Sequence, residues 1–334
     1  NLQLHCSCVA RQRDRGGEVF VSEESIVDDH PNIYPMQSKK LLLLIQVLFV
    51  TSTLAKFTTL MQAAQSGSIK SVQKNLLYVN EIDDEDQFSA LTYATFNNND
   101  ETTTQIINIL IKAGEEINHY DKNGYTPLLW AAQNNNMAAA KALVSGGAGI
   151  NPRSTDQHLT PLLVAVASGH KEMTKYLLVD VNVDENVRTA KHITALISAT
   201  SAGDKNVDIV NLLLLSGARV DDKTLDLGIS ALHIAAQEGF VQLTEALIKG
   251  GADVNKKNNI GATPLMMASV KGHYAIVQIL LDNQADPAIS IRLDRDPEDP
   301  EFEEGAIETV TPTTMALSAG HKDISELLER YIDL

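Results

Sequence analysis

The sequence predicts an all-α fold: a solenoid of about eight stacked helix–turn–helix units with short β-turn hairpin tips. The main observation is an eleven-residue pattern, fullest at residues 263–273 as Thr-Pro-Leu-Met-Met-Ala-Ser-Val-Lys-Gly-His. A second is its spacing, since the four steps from Thr126 to Thr263 measure 34, 34, 36 and 33 residues. A third is the apolar segment that follows each copy. The copies begin at Thr58, Ser89, Thr126, Thr160, Thr194, Ser230, Thr263 and Thr311.

Each copy carries the signals for a short first helix. The hydroxyl of the opening Thr or Ser can cap free backbone N–H groups. Proline follows in four copies, at a position where its missing N–H removes no hydrogen bond. The ninth residue after the opening position is always Gly or Asn, and both tolerate the positive φ of a helix C-cap. These residues are Gly67, Asn98, Asn135, Gly169, Gly203, Gly239, Gly272 and Gly320.

The second helix of each unit is predicted from apolar residues at helical spacing, such as Ile276, Val277 and Leu280. It commonly ends at a Gly-Ala signal followed by Val-Asn or Ile-Asn, as in residues 250–255. Residues 178–182 of the fourth unit, Leu-Val-Asp-Val-Asn, lack that signal, so this unit is expected to be shortened. A polar turn then leads to the next opening residue.

This pattern resembles the ankyrin repeat, a helix, a turn, a second antiparallel helix and a projecting β-turn. The family signature Thr-Pro-Leu-His-x-Ala is similar to residues 230–235, Ser-Ala-Leu-His-Ile-Ala, and to the Thr-Pro copies. The resemblance covers about residues 56–334. It implies an ankyrin-repeat domain that binds other proteins and has no catalytic activity.

Composition limits the partners of the chain. The formal net charge is −16 and the pI is about 4.9. A nucleic-acid partner would require a basic stripe, so we expect none. The acidic balance fits a protein partner that is basic or neutral. The two cysteines, Cys6 and Cys8, precede the repeats, so neither a disulfide framework nor a thiolate metal site is expected within them.

Two segments precede the repeats. Residues 1–35 show no helical or strand periodicity and are expected to be a disordered tail or a translated upstream stretch. Residues 36–55 combine a short basic start, an apolar run at 41–50 and small residues before Lys56. This order predicts a secretory signal peptide, and hence a secreted protein. The alternative is an apolar helix that caps the open end of the array, in a cytoplasmic protein.

The array also contains insertions and a cap. The step from Thr263 to Thr311 is 48 residues, and the surplus forms an acidic insertion near residues 288–309. Prolines and dense acids predict an exposed loop, or an acidic finger that grips basic side chains. A smaller insertion at residues 100–104 lengthens the second unit. Residues 324–331 are more charged than earlier second helices, as a C-terminal cap requires.

The sequence predicts no enzyme, no cofactor, no metal site and no small-molecule substrate. It has neither a phosphate-binding loop with Lys-Ser or Lys-Thr nor a His-Glu-x-x-His motif. The glycine-rich residues 145–149 coincide with a helix-ending turn. His170, His273 and His321 recur after the turn glycine and are interpreted as framework positions.

The resemblance implies that partners bind a concave face formed by the hairpin tips and the first helices. Tyr125 and Trp130 are expected to contribute most, because aromatic side chains carry much interface energy. A partly buried packing role is the alternative for Trp130. The candidate partner-binding residues are Lys122, Asn123, Tyr125, Trp130, Gln133, Asn134, Asp156, Gln157, Ser168, Lys191, Asp226, Gln237, Glu238, Asn259 and Lys271.

Function therefore depends on this surface. The prediction is a protein–protein interaction scaffold that binds through many shallow contacts on a preformed face. The alternative is a secreted ankyrin-repeat effector or toxin-like protein, which depends on residues 36–55 alone. Apart from that possible signal peptide, no membrane contact is indicated.

Overall fold

The computed structural model describes residues 59–293 and 308–332. Sixteen α-helices in these ranges form eight successive pairs, which confirms the predicted all-α repeat fold. We number the units one to eight in chain order. Their first helices are Thr59–Ser66, Ala90–Ala94, Pro127–Gln133, Pro161–Ala167, Ala195–Ser201, Ala231–Glu238, Pro264–Lys271 and Pro312–Ser318. Their second helices are Ile69–Lys74, Asp100–Lys112, Met137–Ser145, Lys171–Lys175, Val207–Leu215, Val241–Lys249, Tyr274–Asp282 and Lys322–Ile332.

The opening Thr or Ser caps the first helix through its side-chain oxygen in units two to five, seven and eight, as the sequence predicts. Thr126 Oγ1 accepts the N–H of Leu129 at 3.4 Å, and Thr194 Oγ1 accepts that of Ile197 at 3.2 Å. In unit six the imidazole of His233 completes the cap, because Nδ1 accepts the N–H of Ser230 at 3.3 Å. These bonds satisfy N–H groups that have no partner within the helix.

Units one to seven each contain one buried leucine at the same position of the first helix. It lies two residues after the opening position, on a helix that contacts the first helix of the next unit. Full burial of a leucine side chain stabilises a protein by roughly 1.5–3 kcal/mol. The stability of the array therefore comes from contacts between neighbouring units. These leucines, all at most 1 % exposed, are Leu60, Leu91, Leu128, Leu162, Leu196, Leu232 and Leu265.

The turn between the two helices adopts positive φ at seven of the eight predicted positions, for example 81° at Gly239 and 54° at Asn135. The prediction is wrong for Asn98. The chain there runs straight into the second helix, which Asn99 caps by accepting the N–H of Thr102 at 3.0 Å. The insertion at residues 100–104 is the first turn of helix Asp100–Lys112, which has 13 residues.

Histidines after this turn join neighbouring units. His170 Nε2 lies 2.9 Å from the carbonyl oxygen of Gln133, and His273 Nε2 lies 2.9 Å from that of Gln237. Each imidazole therefore bonds to the end of the preceding first helix. This confirms the interpretation of His170 and His273 as framework residues.

The expected shortening of unit four is wrong. Gly169 and Asn182, the two positive-φ residues of its turns, are 13 residues apart, whereas Gly239 and Gly251 in unit six are 12 apart. The extra residue is accommodated by a π-helical turn at Tyr176–Asp180. Asn182, with φ 57°, replaces the usual glycine.

The acidic insertion begins and ends in a two-stranded antiparallel ribbon. Strand β1 spans Ile291–Leu293 and strand β2 spans Glu308–Val310, with Ile291 opposite Val310. The ribbon extends the hairpin between units seven and eight. The remainder of the insertion lies outside the described residues, as do the predicted tail at 1–35 and the segment at 36–55.

Candidate partner-binding surface

The hairpin tips lie side by side and are joined by hydrogen bonds. We define the tips as residues 83–87, 121–124, 154–158, 189–192, 224–228 and 258–261. The carbonyl oxygens of Gln157, Lys191 and Leu227 each accept a backbone N–H from the next tip at 2.9–3.2 Å. The carbonyl of Asn123 accepts the hydroxyl of Thr155 at 3.1 Å. The tips therefore form one continuous edge, which is preformed before any partner binds.

A polar side chain at the base of each tip holds its loop in shape. Asp121 Oδ1 accepts the N–H groups of Asn123 and Tyr125, both at 2.8 Å. Asn258 Oδ1 holds the last of these tips in the same way, at 2.9–3.1 Å. A short oxygen acceptor at this position fixes the turn. Hydroxyl groups replace it in three other tips, at Ser154, Thr189 and Thr224.

An aromatic cluster lies beneath the tips of units two and three. The ring centroid of Trp130 is 5.3 Å from that of Phe88, 5.4 Å from Phe96 and 5.3 Å from Tyr125. Tyr93 packs edge-on against Phe88 at 5.6 Å. Phe88, Tyr93 and Trp130 are buried, whereas Phe96 and Tyr125 are half-buried and reach the surface.

The expectation that Trp130 is a surface anchor is corrected by the structure. Its side chain is 8 % exposed, and its indole N–H donates to Asp121 Oδ2 at 2.8 Å inside the fold. The packing role is the one observed. Tyr125 keeps part of its ring exposed, and burial next to Asp121 and Asp156 raises its pKa to about 12.

Negative charge is concentrated at the same end of the surface. Asp83 and Asp121 are 2 % and 5 % exposed, and their oxygens accept only neutral N–H and O–H donors among the described residues. Burial raises the pKa of Asp121. Asp84 and Asp156 lie exposed on the tips. Lys122 Nζ binds the carboxylate of Asp86 at 2.5 Å.

The other predicted contact residues lie on the tips or at the ends of first helices. The carbonyls of Gln133 and Gln237 are occupied by the framework histidines. The Asn259 amide N–H donates to the carbonyl oxygen of Asp226 at 2.9 Å, so this side chain also joins two tips. Ser168, Gln133 and Gln237 are half-buried. The exposed members of the set are Lys122, Asn123, Asn134, Asp156, Gln157, Lys191, Asp226, Glu238, Asn259 and Lys271. We call the tips and these helix ends the tip surface.

The described residues contain neither a metal-binding cluster nor a membrane-spanning helix. No group of three or more His, Cys, Asp or Glu side chains there could hold a metal ion. No helix there is both long and apolar enough to span a bilayer.

Comparison with known proteins identifies the repeats. The family model for ankyrin repeats matches residues 101–189, 152–224 and 196–291, which together cover more than half of the chain. The chain belongs to the ankyrin-repeat family. Proteins of this family generally mediate protein–protein interactions and are typically non-enzymatic scaffolds.

Relatives and solved structures are similar to this ankyrin-repeat chain over part of its length. Human transient receptor potential cation channel subfamily A member 1 is 31 % identical over 183 residues, 52 % of this chain and 16 % of that protein. The mouse B-cell lymphoma 3 protein homolog is 32 % identical over 171 residues, 50 % of this chain and 37 % of that protein. The chain therefore matches only a minor part of each relative's own length.

Among solved structures, the human ASB11 ankyrin repeat domain is 26 % identical, with a TM-score of 0.57. That match covers 70 % of this chain and all of the other. The ankyrin repeat domain of Bcl-3, described as a member of the IkappaB protein family, matches 73 % of this chain with a TM-score of 0.62. The match covers that chain completely. Because it is only 23 % identical, it supports the fold alone.

Sequence reasoning missed several residues that shape this surface. Phe88, Tyr93 and Phe96 were not singled out, although two of them occupy the positions in unit two that Tyr125 and Trp130 occupy in unit three. Asp83 was also missed, because it lies six residues before Ser89 whereas Asp121 lies five residues before Thr126. Aligning Ser89 with Thr126 pairs Phe88 with Tyr125 and Tyr93 with Trp130, which was the signal in the sequence for these aromatic residues.

Proposed function

We propose that this ankyrin-repeat chain is a scaffold that binds a protein partner on the tip surface and catalyses no reaction itself. The observation that carries the proposal is the continuous hydrogen-bonded edge formed by the tips. Because the loops are fixed before binding, little conformational entropy is lost on association. Exposed polar side chains next to half-buried apolar ones match the mixed composition of non-obligate interfaces.

Affinity capture from the native cell with the full chain tests this proposal. A tip variant carries Asn134→Ala, Gln157→Ala and Lys191→Ala. A matched control carries Asn211→Ala, Gln242→Ala and Lys249→Ala, three exposed residues of second helices. We expect wild type and control to capture equal amounts of one partner protein. The tip variant should capture less by about ten-fold or more, as for loss of interface contacts. Equal retention by all three chains would place the interface elsewhere.

We propose a second candidate, that the chain acts outside the cell as a secreted effector. This depends on the basic start, the apolar run at residues 41–50 and the small residues before Lys56. N-terminal sequencing of the protein from its native cell tests it. A start at Lys56 is the expected result, and a chain that retains residues 41–50 would refute secretion by this route.

A further inference from the structure

The tip surface of units two and three combines exposed carboxylates with partly exposed aromatic rings. Phe96 and Tyr125 are the ring members of the cluster that reach the surface. The hairpin before unit two, residues 79–88, contains five acidic residues and no basic one. Asp156 on the tip before unit four adds a further exposed carboxylate, close enough to raise the pKa of the Tyr125 phenol.

The charge below this surface has the same sign. Asp83 and Asp121 are buried, and no Lys, Arg or His of the described residues forms an ion pair with either carboxylate. Buried charges are screened less by salt than exposed ones, so they contribute to the potential at the rings above them. Lys122, the one basic residue of tip 121–124, is paired with Asp86.

We propose that this end of the tip surface binds an arginine-rich segment of the partner protein. Charge complementarity selects the occupant, because a guanidinium can lie on an aromatic face while its N–H groups bond to a carboxylate. Arginine suits the site better than lysine, since its planar fork satisfies both contacts at once. The inference deepens the proposed function and rests on it.

Trp130 reports on this site, because it is the single tryptophan of the chain and lies against both half-buried rings. The probe is a twelve-residue peptide with four arginines among serine and glycine, added to the full chain. The expected result is a saturable change in Trp130 emission that weakens with added salt. A peptide with lysine in place of arginine should bind several-fold more weakly, and one with glutamate should give no response.

Two variants and one control locate the site. Asp84→Asn with Asp156→Asn removes two exposed charges and should weaken the arginine peptide about ten-fold. Tyr125→Leu removes one ring face and should weaken it about five-fold. Glu245→Gln with Asp323→Asn makes the same charge change on second helices, outside the tip surface, and should leave the affinity unchanged.

Several results would overturn the inference. One is an unchanged Trp130 emission when the arginine peptide is added. The others are equal affinity of the Asp84 and Asp156 variant and the wild type for that peptide, and equal affinity of the wild type for the arginine and lysine peptides. A response to the glutamate peptide would assign an acidic partner instead. A change that appears with protein concentration alone would assign a second copy of this chain. If the arginine peptide does not bind but affinity capture still depends on the tip surface, this inference is refuted and the proposed function is not.

Discussion

Trp130 Nε1 donates a 2.8 Å hydrogen bond to Oδ2 of Asp121, joining the first helix of unit three to the tip that precedes it. Unit two contains the same arrangement, in which the hydroxyl of Tyr93 donates to Asp83 Oδ2 at 3.1 Å. In unit seven the corresponding residues are Asn258 and Met267, and methionine offers no donor. In these three units, the base of the tip carries a carboxylate where the first helix offers a side-chain donor and an amide where it offers none.

Asp121→Asn should lower the free energy of unfolding by about 2 kcal/mol, because the amide nitrogen cannot accept the indole N–H. The same change in a Trp130→Phe background should cost less, since the donor is gone. Urea unfolding of the four chains gives the coupling energy. A coupling near zero would show that the bond contributes nothing to stability.

The residue two before the opening Thr or Ser has positive φ in six tips, and glycine occupies it in three. His192 adopts 59° and His158 adopts 56° there. His192→Gly should raise the free energy of unfolding by about 1 kcal/mol, since a side chain is strained in this region. Thermal unfolding with the neighbouring Lys191→Gly as control measures it. Greater stability of the Lys191 variant than of the His192 variant would refute the turn assignment.

Glu115 follows the positive-φ glycine after the second helix, where other units have a buried alanine, such as Ala148 and Ala252. Its Oε1 accepts the N–H of Ala90 at 3.0 Å, at a position where four other first helices begin with proline. Glu115→Ala should destabilise the fold by about 1–3 kcal/mol, because it leaves this buried N–H unpaired.

Ala90→Pro removes the N–H that Glu115 accepts. It therefore distinguishes the cost of the unpaired N–H from any other effect of Glu115→Ala. Adding it to Glu115→Ala should recover much of the loss, as measured by chemical denaturation. No recovery would mean that the Glu115 carboxylate stabilises the fold through another contact.

Burial lowers the pKa of His233 from 6.5 to about 4. The folded protein therefore holds this imidazole neutral, whereas the unfolded chain binds a proton below pH 6.5. Its contribution to stability is present above pH 6.5 and is lost as pH falls towards 4, by about 2 kcal/mol between pH 7.5 and 5. His233→Leu should show that much less loss over the same interval. An identical pH dependence of unfolding in both proteins would contradict the buried neutral state.

The repeat period and its capping residues were predictable because the same backbone geometry recurs in every unit. The wrong predictions fall where one unit departs from that geometry. Asn98 precedes an insertion that extends a helix, and unit four accommodates an extra residue as a π turn. The sequence did not decide between the two roles of Trp130, because its burial depends on Phe88 and Tyr125, which a single unit does not reveal.

Site-specific photo-cross-linking tests the central claim most directly. A photoreactive residue is placed at Asn134 or Lys191 on the tip surface and at Lys175 or Lys249 on second helices, all exposed. The full chain is then irradiated in its native cell. The account predicts one partner protein joined from the tip-surface positions and absent from the second-helix positions. Cross-links to that partner from Lys175 and Lys249 alone would contradict it.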